Sequence, residues 1–286
     1  MTKLFSSAAL TACLIAASPG LAAPAVPSAP ASAANEARIQ QLEQQVATLT
    51  SVADNARSHQ EIANVFGRYM ALHNAFRDPE IVPLWVKKGT PDVRAQYSNN
   101  GVYTNWDNIM SYHAQRPNPP GKLIYHFIAS PIIEVAADGQ TAKGMWLMAG
   151  LESGLTSPEA AKGAPSFMYE KNVKINGKKV WMHNIYVKYG IDFLKQDGQW
   201  KIWHFHCFEV ARAPYGMGWI PFAAAAQDSP FSDDLMYFGE DGRPVMMPKP
   251  DGPATIRHNP YRTDKGQTLD LQPPVPYRTF SETFAY

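Results

Sequence analysis

Residues 180–210, VWMHNIYVKYGIDFLKQDGQWKIWHFHCFEV, carry the pattern that decides the fold. Apolar and polar side chains alternate on both sides of Asp197-Gly198, and an Asp-Gly pair between two alternating runs is a strong hairpin signal. The pattern therefore predicts antiparallel strands at 180–194 and 200–210, joined by a turn at Gln196 to Gln199.

The chain before this hairpin predicts helices first and strands afterwards. Apolar residues at three- and four-residue spacing predict helices at 37–51 and 58–76, and a further pair of strands is expected at 124–135 and 141–151. Between them we expect three short elements: a helix from Asp78 to Trp85, a strand at 94–98 and a helix at 105–115. Helices followed by hairpin-linked strands indicate an α+β domain with helices on one face of an antiparallel sheet.

Composition limits the size of the fold and the kind of ligand. The chain has 286 residues, 45% hydrophobic and 18% charged, which favours one globular domain with extensions. The formal net charge is +1 and basic residues are scattered, so no nucleic-acid partner is expected. Aromatic residues reach 12%, which suits a pocket for a small, flat or phenolic molecule.

Both ends of the chain are predicted to lie outside the main domain. Residues 1–23 have the layout of a secretory signal peptide, which predicts a periplasmic or secreted protein; a lipoprotein anchor at Cys13 is the less favoured alternative. Residues 24–36 are interpreted as a Pro/Ala linker, and 211–286 as an irregular extension packed on the domain. No other segment approaches a membrane span of roughly 20 apolar residues.

The helix at 37–51 carries an apolar stripe formed by Ile39, Leu42, Val46 and Leu49. This stripe must be buried, either on its own domain or against another subunit, and we expect a homo-oligomer. A coiled coil is one way to bury it, although the heptad seam is short.

Three phrases resemble the nuclear transport factor 2-like superfamily, and within it the SnoaL-like group that includes scytalone dehydratase. They are Glu61-Ile-Ala-Asn-Val-Phe-Gly-Arg-Tyr69, Tyr125-His126-Phe127-Ile128 and Asp197-Gly198-Gln199-Trp200-Lys201-Ile202. The resemblance spans residues 37–210. It implies a cone-shaped domain in which a curved sheet and the N-terminal helices enclose a pocket, without a cofactor.

The same resemblance implies roles for particular residues. A His in a His-Phe-Ile context acts as acid and base in scytalone-dehydratase-like enzymes, which makes His126 the first catalytic candidate. The helix-end position of a family Tyr falls near His73-Asn74, so that Tyr is replaced here, and a second family Tyr corresponds to Tyr97 or Tyr103. The helical region through Trp85 and the aromatic-rich composition also resemble the γ-formaldehyde lyases that act on lignin-derived diarylpropanes and phenylcoumarans.

Strand alternation adds residues from the last hairpin. If Ile202 faces the helices, His204 and His206 face the pocket as well, and Cys207 faces outward. On the preceding strand we favour Tyr189 as inward, with Asp192 as a second candidate. The predicted catalytic residues are His126, Tyr97, His204, His206 and Tyr189. The predicted substrate-binding residues are Tyr69, His73, Asn74, Trp85, Tyr103 and Asp192.

Several functions fit this set of residues. The favoured hypothesis is a cofactor-independent, metal-free lyase that uses general acid–base catalysis on a small aromatic compound and releases formaldehyde from a lignin-derived phenolic dimer to give a stilbene. A dehydratase or isomerase of a polyketide-like or phenolic compound would need similar groups. A periplasmic binding protein for hydrophobic ligands and a scaffold protein are non-catalytic alternatives. A zinc site formed by His126, His204 and His206 is a further, less favoured one.

Overall fold

The structure is a computed structural model that describes residues 29–97, 101–155, 173–221, 223, 236–238, 244–255 and 261–286. The predicted signal peptide lies outside these residues. The chain divides into two compact units, one ending at Thr50 and one comprising Ser51–Tyr286. Within the described residues, every helix is too short or too polar to cross a membrane.

Helix α1 spans Ala29–Asn74, where the sequence predicted two separate helices. Residues 52–57 contain neither Gly nor Pro, so nothing in this stretch interrupts the helix. The helix begins at Ala29, inside the segment 24–36 that was interpreted as a linker. In the first unit, the side chains of Ile39 and Leu42 are exposed.

The second unit is built on one large sheet. Its strands are β1 (Arg94–Tyr97), β2 (Val102–Tyr103), β3 (Leu123–Val135), β4 (Thr141–Leu155), β5 (Val173–Ile175), β6 (Lys178–Gln196) and β7 (Gln199–Pro214). Their order is β2-β1-β7-β6-β4-β3, with β5 beside β6. The strand pairs are antiparallel except β1 and β7, which run parallel, so the sheet is mixed where a purely antiparallel one was predicted.

Shorter elements complete the described part of this unit. A 3-10 helix at Asp78–Leu84 follows α1, and α2 spans Trp106–Ala114. Strands β8 (Met236–Phe238) and β9 (Pro244–Met246) form a separate two-stranded sheet, and a last 3-10 helix spans Phe280–Glu282.

The hairpin turns have the geometry that their sequences predicted. Asp197 and Gly198 have φ angles of 51° and 73°, both in the left-handed region. Asn176 and Gly177 show the same pair, with φ angles of 51° and 76°. Two consecutive residues of this kind form a type I′ turn, whose twist matches that of the adjoining strands.

The part of helix α1 that belongs to the second unit, from Ser51 to Asn74, covers one face of the sheet, which we call the inner face; the opposite face is the outer face. Phe66 is fully buried there, with its ring centroid 4.4 Å from that of Trp146 and 5.2 Å from that of Tyr189. Burial of one such side chain contributes about 1.5–3 kcal/mol to stability. The core of the unit therefore lies between α1 and the inner face.

A β-bulge at Trp203 reverses the alternation along β7. Ile202 pairs with Phe193 and His204 pairs with Asp192, so Trp203 is an extra residue on β7. Ile202 and Phe205 consequently both lie in the inner core, while His204 points to the outer face. The prediction that His204 and His206 face the pocket is wrong, because simple alternation does not account for an inserted residue.

A second bulge lies further along the same strand. Tyr186 pairs with Ala211 while Val187 pairs with Glu209, which leaves Val210 as the extra residue. Glu209 and Arg212, three residues apart, therefore both reach the inner face, where they form an ion pair of 2.9 Å. The predicted orientation of Cys207 is corrected by the first bulge, since this side chain packs against the inner core.

The C-terminal segment, residues 261–286, lies against the outer face through a buried polar cluster. The carboxylate of Asp192 accepts bonds from Lys143 Nζ (2.6 Å), His204 Nδ1 (2.8 Å) and the main-chain N–H of Tyr286 (2.8 Å). Gly190 lies under the Tyr286 ring, where a Cβ atom would be 2.3 Å from a ring carbon. Tyr286 can pack this closely only because residue 190 has no side chain.

The charged side chains of this cluster are fully buried and depend on each other. Lys143 and Asp192 are both 0% exposed. Burial lowers the pKa of Lys143, and the carboxylate of Asp192 opposes that shift. The Lys143 Nζ also lies 4.2 Å from the ring centroid of Phe284 and 4.3 Å from that of Tyr286. Asp192, predicted to help bind a substrate, is therefore a structural residue of the outer face.

We predict that Asp192→Asn destabilises the protein by about 3 to 5 kcal/mol, because it leaves the buried Lys143 charge without its partner. Urea denaturation followed by circular dichroism measures this loss. The matched control is Asp264→Asn, which removes the exposed ion pair with Arg262 and should leave the stability almost unchanged, because water screens this pair. Equal losses in the two variants would contradict this role for Asp192.

Candidate active site

His126 is held at the inner face by the end of helix α1. The side-chain amide of Asn74 donates to the His126 main-chain oxygen (3.0 Å) and accepts from its main-chain N–H (2.9 Å). Opposite it on β4 stands Gly150, where a Cβ atom would lie 2.5 Å from the His126 ring. A larger residue at position 150 would therefore displace the imidazole.

The ring of His126 contacts a buried carboxylate. Its Nε2 lies 3.2 Å from Glu152 Oε1, whereas its Nδ1 is buried and has no hydrogen-bond partner among the described residues. Burial alone would raise the pKa of Glu152, but the Arg212 charge and the bond to His126 outweigh it and hold the pKa well below its usual range. A carboxylate that accepts Nε2–H leaves the lone pair of a neutral imidazole on Nδ1.

Arg212 fixes the position of Glu152 from the second bulge of β7. Its Nη1 donates to Glu152 Oε2 (2.7 Å) and lies 3.1 Å from His183 Nδ1, and its Nη2 donates to Glu209 (2.9 Å). Glu209 is 1% exposed. Arg212 is thus shared between two carboxylates, and it orients the one that contacts His126.

Lys122 is a second cation near Glu152. Its Nζ lies 4.7 Å from the ring centroid of Trp181. Burial lowers the pKa of Lys122 to about 8, and the charge of Glu152 limits the shift. A lysine with this pKa is protonated at neutral pH and yet releases its proton far more readily than an ordinary lysine.

A second polar group, centred on Asp78, adjoins His126 on the side of α1. Asp78 is fully buried and accepts from Arg116 Nη1 (2.8 Å), and its Oδ1 lies 3.2 Å from His73 Nδ1. Burial and the Arg116 charge lower the pKa of His73 to about 3, so this ring is neutral. The ring centroids of His73 and His126 are 5.4 Å apart, which joins the two groups into one site.

Tyr97 lies deeper in the core than this site. Its hydroxyl is 2.9 Å from His113 Nε2, and its ring stacks on Tyr112 at 4.0 Å. Burial raises the pKa of Tyr97 well above its usual value, so the phenol stays protonated. His113 Nδ1 is 3.9 Å from Asp78, too long for a hydrogen bond, and has no such partner among the described residues.

Among the described residues, the charged groups named above balance. Asp78, Glu152 and Glu209 are matched by Arg116, Lys122 and Arg212, and His73 is neutral. A substrate is therefore not required to bring a compensating charge into this site. The arrangement offers one imidazole nitrogen as a proton acceptor and one lysine as a proton donor, which suits acid–base chemistry on an uncharged molecule.

The structure brings some of the predicted residues together and separates others. His126, His73 and Asn74 meet at the site, and Tyr69 stacks on His73 at 5.8 Å. The rings of Tyr189 and Trp85 pack in the inner core, and the Tyr103 hydroxyl donates to Pro248. His204, His206 and Asp192 lie on the outer face, so the three-His zinc arrangement with His126 does not form.

Sequence reasoning missed the charged residues that orient His126: Asp78, Arg116, Lys122, Glu152 and Arg212. Glu152 could have been found, because it shares the strand alternation of Trp146 and Met148, whose side chains face inward. The contacts between the others join residues far apart in the chain and have no local signal.

An open curved sheet of mixed strand direction with helical residues of the second unit packed on its inner face is the architecture of the nuclear transport factor 2-like superfamily. Residues 54–206, just over half of the chain, match the model of the SnoaL-like domain family, and the chain belongs to that family. The resemblance seen in the sequence is confirmed at this level. Activities known in the family include dehydratase, isomerase and dehydrochlorinase reactions.

The solved structures to which the chain is similar are distant in sequence. The putative scytalone dehydratase of Novosphingobium aromaticivorans is 15% identical, with a TM-score of 0.41 over 58% of this chain and 93% of its own. A hexachlorocyclohexane dehydrochlorinase of Novosphingobium barchaimii is 14% identical, with a TM-score of 0.41 over 58% and 96%. A putative dehydratase of Streptomyces avermitilis is 12% identical, with a TM-score of 0.40 over 55% and 98%. No curated protein matches the chain.

Proposed function

We propose that the protein is a cofactor-independent lyase that acts on a small, uncharged aromatic compound, with His126 as the catalytic base. The observation that carries this proposal is the buried His126 imidazole, whose Nε2 contacts Glu152 and whose Nδ1 is unpaired among the described residues. An ionised Glu152 stabilises the imidazolium that forms when Nδ1 takes a proton. Arg212 and Asn74 act as positioning residues, since each contacts the dyad rather than a reacting atom.

The proposed substrate class follows from charge and from the aromatic surroundings. The balanced acids and bases of the inner face favour an uncharged molecule over an anion. Aromatic rings lie beside the polar groups: Tyr69 against His73, and Trp181 against Lys122 and His183. These rings would pack against a flat substrate while His126 and Lys122 contact its hydroxyl groups.

Within this class we propose a phenolic diarylpropane diol, the type of dimer that lignin yields. Protonated Lys122 gives its proton to the benzylic hydroxyl, which leaves as water, while the phenol O–H proton passes to solvent water and the ring becomes a quinone methide. His126 Nδ1 then takes the proton of the terminal hydroxymethyl group. The O–H electron pair forms the C=O of formaldehyde, the C–C pair forms the new C=C, and the ring becomes a phenolate that takes a proton back from water. The proton on His126 returns to Lys122 through water, which restores the acid and the base. The diol is thereby converted into a stilbene, formaldehyde and water, with no oxidant or reductant.

A dehydratase is the second candidate, and membership of the SnoaL-like family supports it. The same two residues would act, but His126 would remove a proton from carbon, and water would be the only small product. The predicted signal peptide, residues 1–23, supports a periplasmic or secreted location for either enzyme.

The test incubates the purified protein with a panel of lignin-derived diols and measures formaldehyde and stilbene absorbance. We expect both products in equal amounts, and we expect His126→Gln to lower kcat at least about 100-fold with an unchanged fold, because the base is lost. The matched control is His206→Gln on the outer face, which should retain activity. Loss of water without release of formaldehyde would favour the dehydratase. Binding of the ligand without turnover would contradict the proposal that the protein is an enzyme.

The pH dependence of the same assay tests Lys122 as the acid. Because the pKa of Lys122 is about 8 and the protonated form is the active one, kcat/KM should fall as the pH rises through this value. In Lys122→Arg the cation stays charged, so the alkaline fall near pH 8 should disappear together with most of the activity. An unchanged alkaline limb in that variant would exclude Lys122 as the acid.

A further inference from the structure

The first unit of the chain carries an exposed apolar stripe on helix α1. Ile39, Leu42, Val46 and Leu49 are 54%, 44%, 61% and 67% exposed. Single exposed apolar residues are common on protein surfaces, but a continuous row along one helix is not. A helix that presents such a row needs a partner that buries it.

The spacing of the row is that of a heptad repeat. With Ile39 at position a, Leu42 falls at d, Val46 at the next a and Leu49 at the next d. This three-four alternation gives a mean spacing of 3.5 residues, the period that keeps a seam facing a partner helix in a left-handed coiled coil. The next a and d positions after Leu49 are occupied by Ala53 and Ala56. The large apolar side chains of the seam therefore end at Leu49.

We propose that this helix pairs with the same helix of a second copy of the chain, in a parallel two-stranded coiled coil centred on Ile39 to Leu49. The residues at the seam favour a coiled coil of two parallel helices. The β-branched Ile39 and Val46 occupy the a positions, and Leu42 and Leu49 occupy the d positions. Isoleucine at both the a and d positions, or leucine at a with isoleucine at d, would favour a bundle of three or four helices instead.

Charges beside the seam favour the parallel orientation. Arg38 stands at position g and Glu43 at the following e, and in a parallel pair these two positions face each other across the interface. The symmetric dimer therefore has two Arg–Glu pairs. An antiparallel pair would bring the e positions of both helices together, and the charged e residues, Glu36 and Glu43, are both acidic. The partner that fits this surface is thus a second copy in parallel orientation.

Sedimentation equilibrium of the full chain tests the proposal without use of the enzymatic activity. We expect a dimer, and we expect Leu42→Gln with Leu49→Gln to give a monomer whose circular dichroism retains the sheet signal. Gln44→Ala, at the outward position f, is the matched control and should stay dimeric. A trimer, a monomer of the unmodified chain, or a dimer that survives both leucine substitutions would overturn the proposal.

Charge reversal and cross-linking then test the orientation. Arg38→Glu or Glu43→Arg alone should raise the dimer dissociation constant about tenfold, and the double reversal should restore it. In a Cys13→Ala, Cys207→Ala background, Leu42→Cys should form an intermolecular disulfide, because identical d residues are adjacent in a parallel dimer. Gln44→Cys should not. No disulfide at position 42, or additive weakening in the double reversal, would rule out the parallel arrangement.

Discussion

The extra residue at Trp203 is the constraint on which both faces of the sheet depend. Strand β7 is the centre of the fold, paired with β6 on one side and with β1 on the other. A bulge in such a strand shifts every later side chain to the opposite face. Before the bulge, Ile202 packs in the inner core; after it, Phe205 and Cys207 do, and His204 and His206 are turned outward. The bulge thereby keeps two histidines away from the inner face and gives them a structural role.

Charged side chains of the inner face come from the second bulge of β7 and from neighbouring strands. Val210 is the extra residue there, and it allows Glu209 and Arg212 to face inward together. Arg212 can then hold Glu152, which contacts His126. A buried arginine between two carboxylates is stable only because each charge has a partner. The proposed proton acceptor, Nδ1 of His126 on β3, is thus oriented by residues from α1, β4 and β7.

The sequence was sufficient for the long strands and insufficient for the site. Alternation and the Asp197-Gly198 turn predicted the long strands, because side-chain period and turn type are local properties. The phrase at His126 identified the central histidine through resemblance. The two bulges have no local signal in the sequence, so the faces of His204, His206 and Cys207 were assigned wrongly. Asp78, Arg116 and Arg212 were missed because their partners lie far away in the chain.

We expect a ligand to bind at the inner face next to His126, and not near the histidines of the outer face. Nuclear magnetic resonance of the protein with isotope-labelled histidine, titrated with a hydroxystilbene, measures this directly. We expect the ring signals of His126 and His73 to shift saturably, while those of His204 and His206 stay in place. Saturable shifts at His204 and His206, with His126 unaffected, would contradict it.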